Sequence, residues 1–220
     1  MKLLVAIKSC RADLSRGHHD VIRNTWGRNL GDVDLRFFVG QGETISDLKA
    51  DEEVVNVLDG YDSLPFKTQA ILRWTLTRNY DYVYLADTDT YIIVYKLMKC
   101  GFENVDYMGR NAWPLGISRP YVARDRHGKD WPIEECWPWM SGGYGYFLSR
   151  RAAEFVVKAT PNIWAEDMFV GGVLGPLYEQ GLVKIQNMEP NITFHFPQGL
   201  YKSGYDLKFK WQERMYKEHQ

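Results

Sequence analysis

Asp87 and Asp89 stand two residues apart at the end of an apolar run, in the stretch YVYLADTDTYII. A buried strand that ends in paired carboxylates can hold a divalent cation. Hard cations such as Mg²⁺ and Mn²⁺ take oxygen ligands, commonly one or two carboxylates together with substrate phosphates. The plainer alternative is a strand end with two solvated or capping acids. Glu166 and Asp167 form a second acid pair, in WAEDMFVGG, where a helix is expected to open. Acids there suit a helix N-terminus. Further glycines sit beside aromatic rings in WPWMSGGYGY, residues 137–146. They fit either a backbone in close approach to a ligand or a sharply turned strand.

Such residues act together only if the fold brings strand ends to one place. Residues 3–7 are fully apolar, which suits a buried strand of a parallel sheet. The pattern then predicts a polar loop over 9–17 and a helix over 19–26. A strand follows over 35–39, closed by Gly40 and Gly42. A helix opening is expected over 46–53, a strand over 54–58, a helix over 67–79 and a strand over 82–86. Strands and helices alternate, which argues an α/β layer fold whose ligands gather at the carboxyl ends of the strands. Asp87 and Asp89 lie at such an end. The second half reads differently. Residues 111–138 are rich in Trp, Pro, Gly and charge, and read as a long surface excursion. Helices are expected over 150–159 and from 164 to 177, strands over 183–186 and 192–196, and a terminal helix in the basic, aromatic tail from 202.

At 220 residues the chain is long enough for one domain with a substantial core. Its net charge of −1 gives no electrostatic footprint for nucleic acid. Eight Trp and fourteen Tyr serve a core, or stack on sugars and bases. No apolar run approaches the roughly 18 residues of a membrane span, and the short run before Lys8 is expected to be a first strand rather than a leader. Cys10, Cys100 and Cys136 form no C-x-x-C pair, and an odd, sparse count fits a reducing compartment.

Several stretches, in one order, are similar to one family. Val21-Ile22-Arg23-Asn24-Thr25-Trp26-Gly27 resembles the (I/V)R-x-TW element of the β1,3-glycosyltransferases of the fringe and core 1 β1,3-galactosyltransferase type, a family 31-like group. Lys67-Thr68 resembles that group's K-T helix start, and Ala86-Asp87-Thr88-Asp89-Thr90-Tyr91 its A-D-D-D-T-Y strand end. Residues 141–149, SGGYGYFLS, resemble its SGG-x-GY-x-LS run. Glu166-Asp167-Met168-Phe169-Val170-Gly171 resembles its E-D-x-x-x-G box, and His195 sits where the group has a late histidine. The chain departs at Thr88, which replaces the middle acid. The luminal members' membrane anchor and stem, and most of their cysteines, are likewise not expected here, and residues 111–138 leave the acceptor undefined.

The resemblance implies a GT-A fold, a Rossmann-like mixed central sheet flanked by helices in a single domain. A nucleotide-sugar half would span about 1–110, an acceptor half about 111–200 and a tail 201–220. It implies an inverting transferase dependent on Mn²⁺ or Mg²⁺ that moves a hexose from a UDP-sugar to a sugar hydroxyl, with a β1,3 linkage expected. UDP-galactose is the first expectation and UDP-GlcNAc the second. Asp89 would be a direct metal ligand. Asp87 would orient a ribose hydroxyl or a metal-bound water, or ligate as well, and His195 would add a nitrogen that favours Mn²⁺. The ion would neutralise the leaving diphosphate as a Lewis acid. Asp167 holds the position of the general base, a role typically worth about 10²–10⁴ in rate. Glu166 would orient donor hydroxyls or a nearby loop.

In the donor set, Arg23 would pair with phosphate oxygens, with an exposed helix charge as the alternative. Ser9 suits a nucleotide contact, Lys67 would anchor a carboxylate or donor group, and Thr88 lies in the same turn as the acids. Gly142 and Gly143 would admit the sugar, and Trp137 and Trp139 would stack on an acceptor sugar or fill the core. Two rivals remain: a catalytically inactive nucleotide-sugar or carbohydrate-binding domain of the same fold, and a D-x-D phosphatase of the haloacid dehalogenase type. The second wants Thr or Val where Tyr91 stands. The expected location is cytoplasmic, with a Golgi-lumen domain cut from a longer chain as the alternative.

Overall fold

An apolar run without alternation must be covered on both faces, and the run that opens the chain is. The computed structural model describes residues 1–42, 48–111, 117–125, 127–197 and 206–219. It begins with β1 (Leu3–Lys8), α1 (Arg11–Ser15), α2 (His18–Asn24), β2 (Asp34–Gln41), β3 (Glu52–Leu58), α3 (Leu64–Leu76) and β4 (Tyr82–Asp87). The middle holds β5 (Thr90–Ile92), α4 (Val94–Leu97), β6 (Tyr107–Gly109), β7 (Arg119–Arg124) and β8 (Asp130–Cys136). The remainder is β9 (Tyr146–Ser149), α5 (Arg150–Lys158), α6 (Glu166–Glu179), β10 (Ile185–Asn187), β11 (Thr193–His195) and α7 (Asp206–Glu218).

Among the described residues, seven strands form one mixed sheet in the order β10-β6-β9-β4-β1-β2-β3. β1 runs parallel to β2 and β4, while β9 is antiparallel to β4 and β6. Successive strand residues point to opposite faces. Leu3, Val5 and Ile7 therefore pack with Trp26, Phe37, Tyr84 and Trp211 on one side. Leu4 and Ala6 pack with Phe38, Ile71, Leu148 and Val170 on the other. Each large apolar side chain so buried contributes roughly 1.5–3 kcal/mol.

The chain leaves β1 toward β2 on one side and later returns as β4 on its other side. The crevice beyond the carboxyl ends of β1 and β4 is thus a topological switch point, where ligands bind in open α/β sheets. Lys8 and Asp87 are register partners at that end.

The expected α/β alternation is present, with several differences. The polar stretch after β1 contains the short helix α1. The helix opening expected over 46–53 is not there: residues 43–47 lie outside the described residues, 48–51 are not helical, and β3 already starts at Glu52. Glu52 is buried against Arg23 and His19, so its acid serves an ion pair rather than a helix N-terminus. The excursion expected over 111–138 contains the antiparallel hairpin β7–β8. That hairpin is largely exposed and so lacks a buried stripe to read. Strands β5 and β6 are three residues each, too short to show a period.

No helix among the described residues is long and apolar enough to cross a membrane. The three cysteines are free thiols.

Candidate active site

A cavity of about 890 Å³ is lined by the ends of β1 and β4, the turn after β4, the glycine run before β9, the start of α6, the end of β11 and α7. Its floor is built on a lysine. Lys8 closes β1 but is only 5 % exposed. Its Nζ binds the Glu166 carboxylate and lies 3.3 Å from Asp87 Oδ1. Burial alone would lower its pKa, but Asp87 and Glu166 outweigh burial and keep it charged. Asp87 is raised above the usual carboxylate range by burial, with Lys8 pulling it down and Asp89 pushing it up.

The turn between β4 and β5 presents Thr88 and Asp89. Asp87 N donates to Thr90 Oγ1 (3.2 Å), which donates to Gly143 O (3.0 Å). The turn is thereby tied to the glycine run. Thr88 Oγ1 donates to Asp13 Oδ2 on α1 (2.6 Å), and His18 Nδ1 lies 3.2 Å from Asp13 Oδ1. The carbonyl of Asp89 accepts from Phe196 N (3.1 Å), which brings the end of β11 alongside. Asp89 Oδ1 is then 3.5 Å from His195 Nε2, and Asp89 Oδ2 is 3.3 Å from Lys208 Nζ on α7. Burial would lower the His195 pKa, but the contact with Asp89 raises it. A Cβ at Gly143 would stand 2.7 Å from His195 Nε2, so only glycine lets the backbone pass this close to the imidazole.

Asp167 opens the cavity's other acidic feature. Gly142 N donates to its Oδ2 (3.1 Å) and Met168 N to its Oδ1 (2.9 Å). Burial, and then the charge of Glu166, push its pKa up to about 6. Each oxygen keeps a lone pair for a further donor.

The model of the galactosyltransferase family matches residues 18–188, well over half of the chain. The chain belongs to the galactosyltransferase family. No protein of curated function matches it at a significant level. Among solved structures it is similar to a 4-diphosphocytidyl-2C-methyl-D-erythritol synthase from Anaerococcus prevotii, at 8 % identity and TM-score 0.52, over 97 % of this chain and 96 % of that one. It is also similar to a 2-C-methyl-D-erythritol 4-phosphate cytidylyltransferase from Thermus thermophilus, at 9 % identity and TM-score 0.46, over 98 % of each chain. The first likeness shows the fold, a GT-A-like Rossmann arrangement; neither carries an activity to this chain. A galactosyltransferase family member is a glycosyltransferase, which takes a sugar donor and an acceptor.

Within this member of the family, the residues expected from the sequence divide into two groups. Ser9, Lys67, Asp87, Thr88, Asp89, Gly143, Asp167 and His195 all line the one cavity. Arg23 does not. Its guanidinium is held by Asp20, Asp51 and Glu52 on the β3 side of the sheet. Arg23 reaches the cavity only indirectly, through Glu52 Oε1, His19 Nδ1 (2.8 Å), and His19 Nε2 beside Ser9 Oγ (2.6 Å). Burial lowers the His19 pKa, so the neutral ring donates to Glu52 and accepts from Ser9.

Glu166 lies beneath the cavity. Lys8, Tyr146 OH (2.5 Å) and Thr68 Oγ1 (3.4 Å) all donate to it. Gly142 is packed on Glu166 rather than open to a sugar. Trp137 is 7 % exposed and lines a second cavity of about 510 Å³ beside α6. Trp139 packs against Gly171 and stands 5.8 Å from the Tyr121 ring. Neither tryptophan lines the main cavity.

Sequence reading passed over Lys8, Asp13 and Lys208. A lysine closing an apolar strand looks like the strand's exposed end, and Asp13 and Lys208 lie outside every motif. Lys67 donates to Ser9 O (2.7 Å) and to Asp59, so its anchor is a carboxylate of this chain.

Among the described residues, no three His, Cys, Asp or Glu side chains gather closely enough to cage a metal alone. The donor set still fits a divalent ion held jointly with substrate. Asp89 and His195 offer a carboxylate oxygen and an imidazole nitrogen, a mixture that suits Mn²⁺, and phosphate oxygens and water commonly complete such sites. Asp87 and Asp89 each have one oxygen 3.3 Å from a lysine ammonium, Lys8 and Lys208 respectively, and Asp89 alone has the imidazole beside it.

Proposed function

We propose that the chain moves a hexose from a UDP-sugar to a sugar hydroxyl with inversion at C1, forming a β1,3 linkage. Galactose is the first expectation and GlcNAc the second. The observation that carries this reading is the meeting of Asp167 with the Asp89–His195 pair in one cavity at the switch point. In this reading one carboxylate serves as the base, and a separate pair holds the cation.

The chemistry follows from these placements. Above pH 6 Asp167 is ionised, and the amides of Gly142 and Met168 fix its carboxylate. It accepts the proton of the acceptor hydroxyl while that oxygen forms its bond to C1. The bond from C1 to the β-phosphate oxygen breaks on the opposite face, and UDP leaves with the electron pair. One base and one displacement invert the anomeric centre. A divalent ion held by Asp89 and His195 would supply Lewis-acid neutralisation of the departing diphosphate. Lys8 keeps Asp87 and Glu166 in place beneath it, and Thr90 ties the acidic turn to Gly143.

The direct test is UDP release from UDP-galactose and UDP-GlcNAc with Mn²⁺, with and without an array of sugar acceptors. Product linkage and anomeric configuration are read by NMR. Acceptor-dependent release with a β product is expected. Absence of release from every UDP-sugar, or an α product, refutes the reading.

A further inference from the structure

The cavity wall contributed by α7 carries a cation that the motif set does not include. Lys208 Nζ lies 3.3 Å from Asp89 Oδ2, its side chain is 15 % exposed, and it lines the same cavity as Asp167. Asp89 thus meets two different groups, His195 on one oxygen and Lys208 on the other.

The placement is built into the fold. Residues four apart share a helix face, and Gln212, four residues on, donates from Nε2 to Thr88 O (2.7 Å). One face of α7 therefore grips the acidic turn twice, at the Thr88 carbonyl and at the Asp89 carboxylate. Trp211 and Met215 bury themselves in the core beneath, and Phe209 meets the His18 ring edge-on at 4.4 Å.

The charges in the cavity make this lysine consequential. Asp13, Asp87, Asp89 and Asp167 all line it, and a diphosphate entering there adds further negative charge. Lys8 is held between Asp87 and Glu166, and Lys67 between Asp59 and the Ser9 carbonyl. Both are anchored in the floor. Lys208 comes from the wall, beside the pair that fits a divalent ion, and an ammonium carries three donors.

We propose that Lys208 is a catalytic residue that binds the donor's diphosphate directly, beside the divalent ion, and stabilises it as it leaves. The proposal rests on the UDP-sugar reading. It predicts that the site keeps affinity for a nucleoside diphosphate when no metal is present. It also predicts that this affinity is lost with the ammonium.

The experiment is calorimetric titration of UDP and of uridine into wild type, Lys208→Gln and Lys208→Arg, each in EDTA and in Mn²⁺. Mn²⁺ is also titrated alone, and thermal unfolding is followed as a check on α7. Lys208→Gln is expected to weaken metal-free UDP binding by about 10–100-fold, the range of a charged hydrogen bond. Uridine affinity should be unchanged, Mn²⁺ alone should bind at least as tightly, and Lys208→Arg should restore most UDP affinity. Equal UDP affinity in EDTA for wild type and Lys208→Gln overturns the proposal and leaves the UDP-sugar reading intact. A parallel loss of UDP and uridine also overturns it, because Lys208 would then be a strut for α7. Failure of wild type to bind UDP even with Mn²⁺ overturns both.

Discussion

Thr88 donates a hydrogen bond to Asp13 at 2.6 Å, across from the acidic turn to α1. Thr88 stands where the family pattern has its middle acid. A carboxylate from α1 therefore stands beside the position where the resemblance has an acid. Burial would raise the Asp13 pKa, yet hydrogen bonds from His18 and Thr88 hold it below the usual carboxylate range. An acid at position 88 would set like charges at hydrogen-bond distance. Thr88→Asp should therefore destabilise the fold by about 1–3 kcal/mol at pH 7. Adding Asp13→Asn should recover most of that loss. A double-mutant cycle in urea measures it, and a coupling near zero would show that the two positions do not meet.

Lys8 pairs with the buried Glu166 and with the partly exposed Asp87 at once. Removing one partner of a buried pair costs about 3–5 kcal/mol, because the remaining charge has no water to turn to. Lys8→Met should lose stability on that scale, and Glu166→Gln in the same chain should return part of it. A denaturation midpoint that stays at the wild-type value in Lys8→Met would contradict the arrangement.

The two groups of site residues explain what the sequence could disclose. Asp87, Asp89 and Asp167 were legible because strand ends and helix starts are local patterns, and because the motifs occur in family order. Lys8 was not, since its burial depends on Glu166, 158 residues along the chain. Arg23 and the helix expected over 46–53 failed for one shared reason. Asp51 and Glu52 lie within that stretch, but they precede and begin β3 and capture Arg23 there. The hairpin β7–β8 was hidden because strands without a buried face carry no alternation. Lys208 had no local signal: only the docking of α7 brings it to Asp89.

The capture of Arg23 separates stability from binding. Arg23→Ala removes hydrogen bonds to Asp51, Asp20 and the buried Glu52. A loss of roughly 1–3 kcal/mol is expected, the scale of bonds to charged groups. UDP affinity measured by titration should change less than about twofold, a few tenths of a kcal/mol. A large loss of affinity in a fully folded variant would return Arg23 to the diphosphate.

Gly143 is the position where a single methyl group reaches the candidate metal pair. Its Cβ would stand 2.6 Å from His195 Cδ2 and 2.7 Å from Nε2, so the ring must turn away. Gly143→Ala is expected to weaken Mn²⁺ binding by about 10–100-fold, as displacement of a ligand's support does. Paramagnetic resonance of free Mn²⁺ reads this directly. Wild-type Mn²⁺ affinity in Gly143→Ala would remove His195 from the ligand set.

Asp167 makes opposite demands on stability and on rate. Its pKa of about 6 in the fold lies above the ordinary Asp value of roughly 3.9. The folded chain therefore binds this proton more tightly than the unfolded chain does. Stability contributed by the group is present below pH 4, falls as pH rises toward 6, and stays low above it. Asp167→Asn cannot ionise, so it should stabilise the fold above pH 6, by on the order of 1 kcal/mol, and do little below pH 4. The same change removes the proposed base. Turnover with a sugar acceptor should fall by about 10²–10⁴, and wild-type kcat/KM should decline as pH drops through about 6. Denaturation and pH-rate profiles on the same two proteins test both halves. A variant that gains stability but keeps its turnover would leave Asp167 a half-buried acid with no part in the chemistry and send the search for the base elsewhere in the cavity.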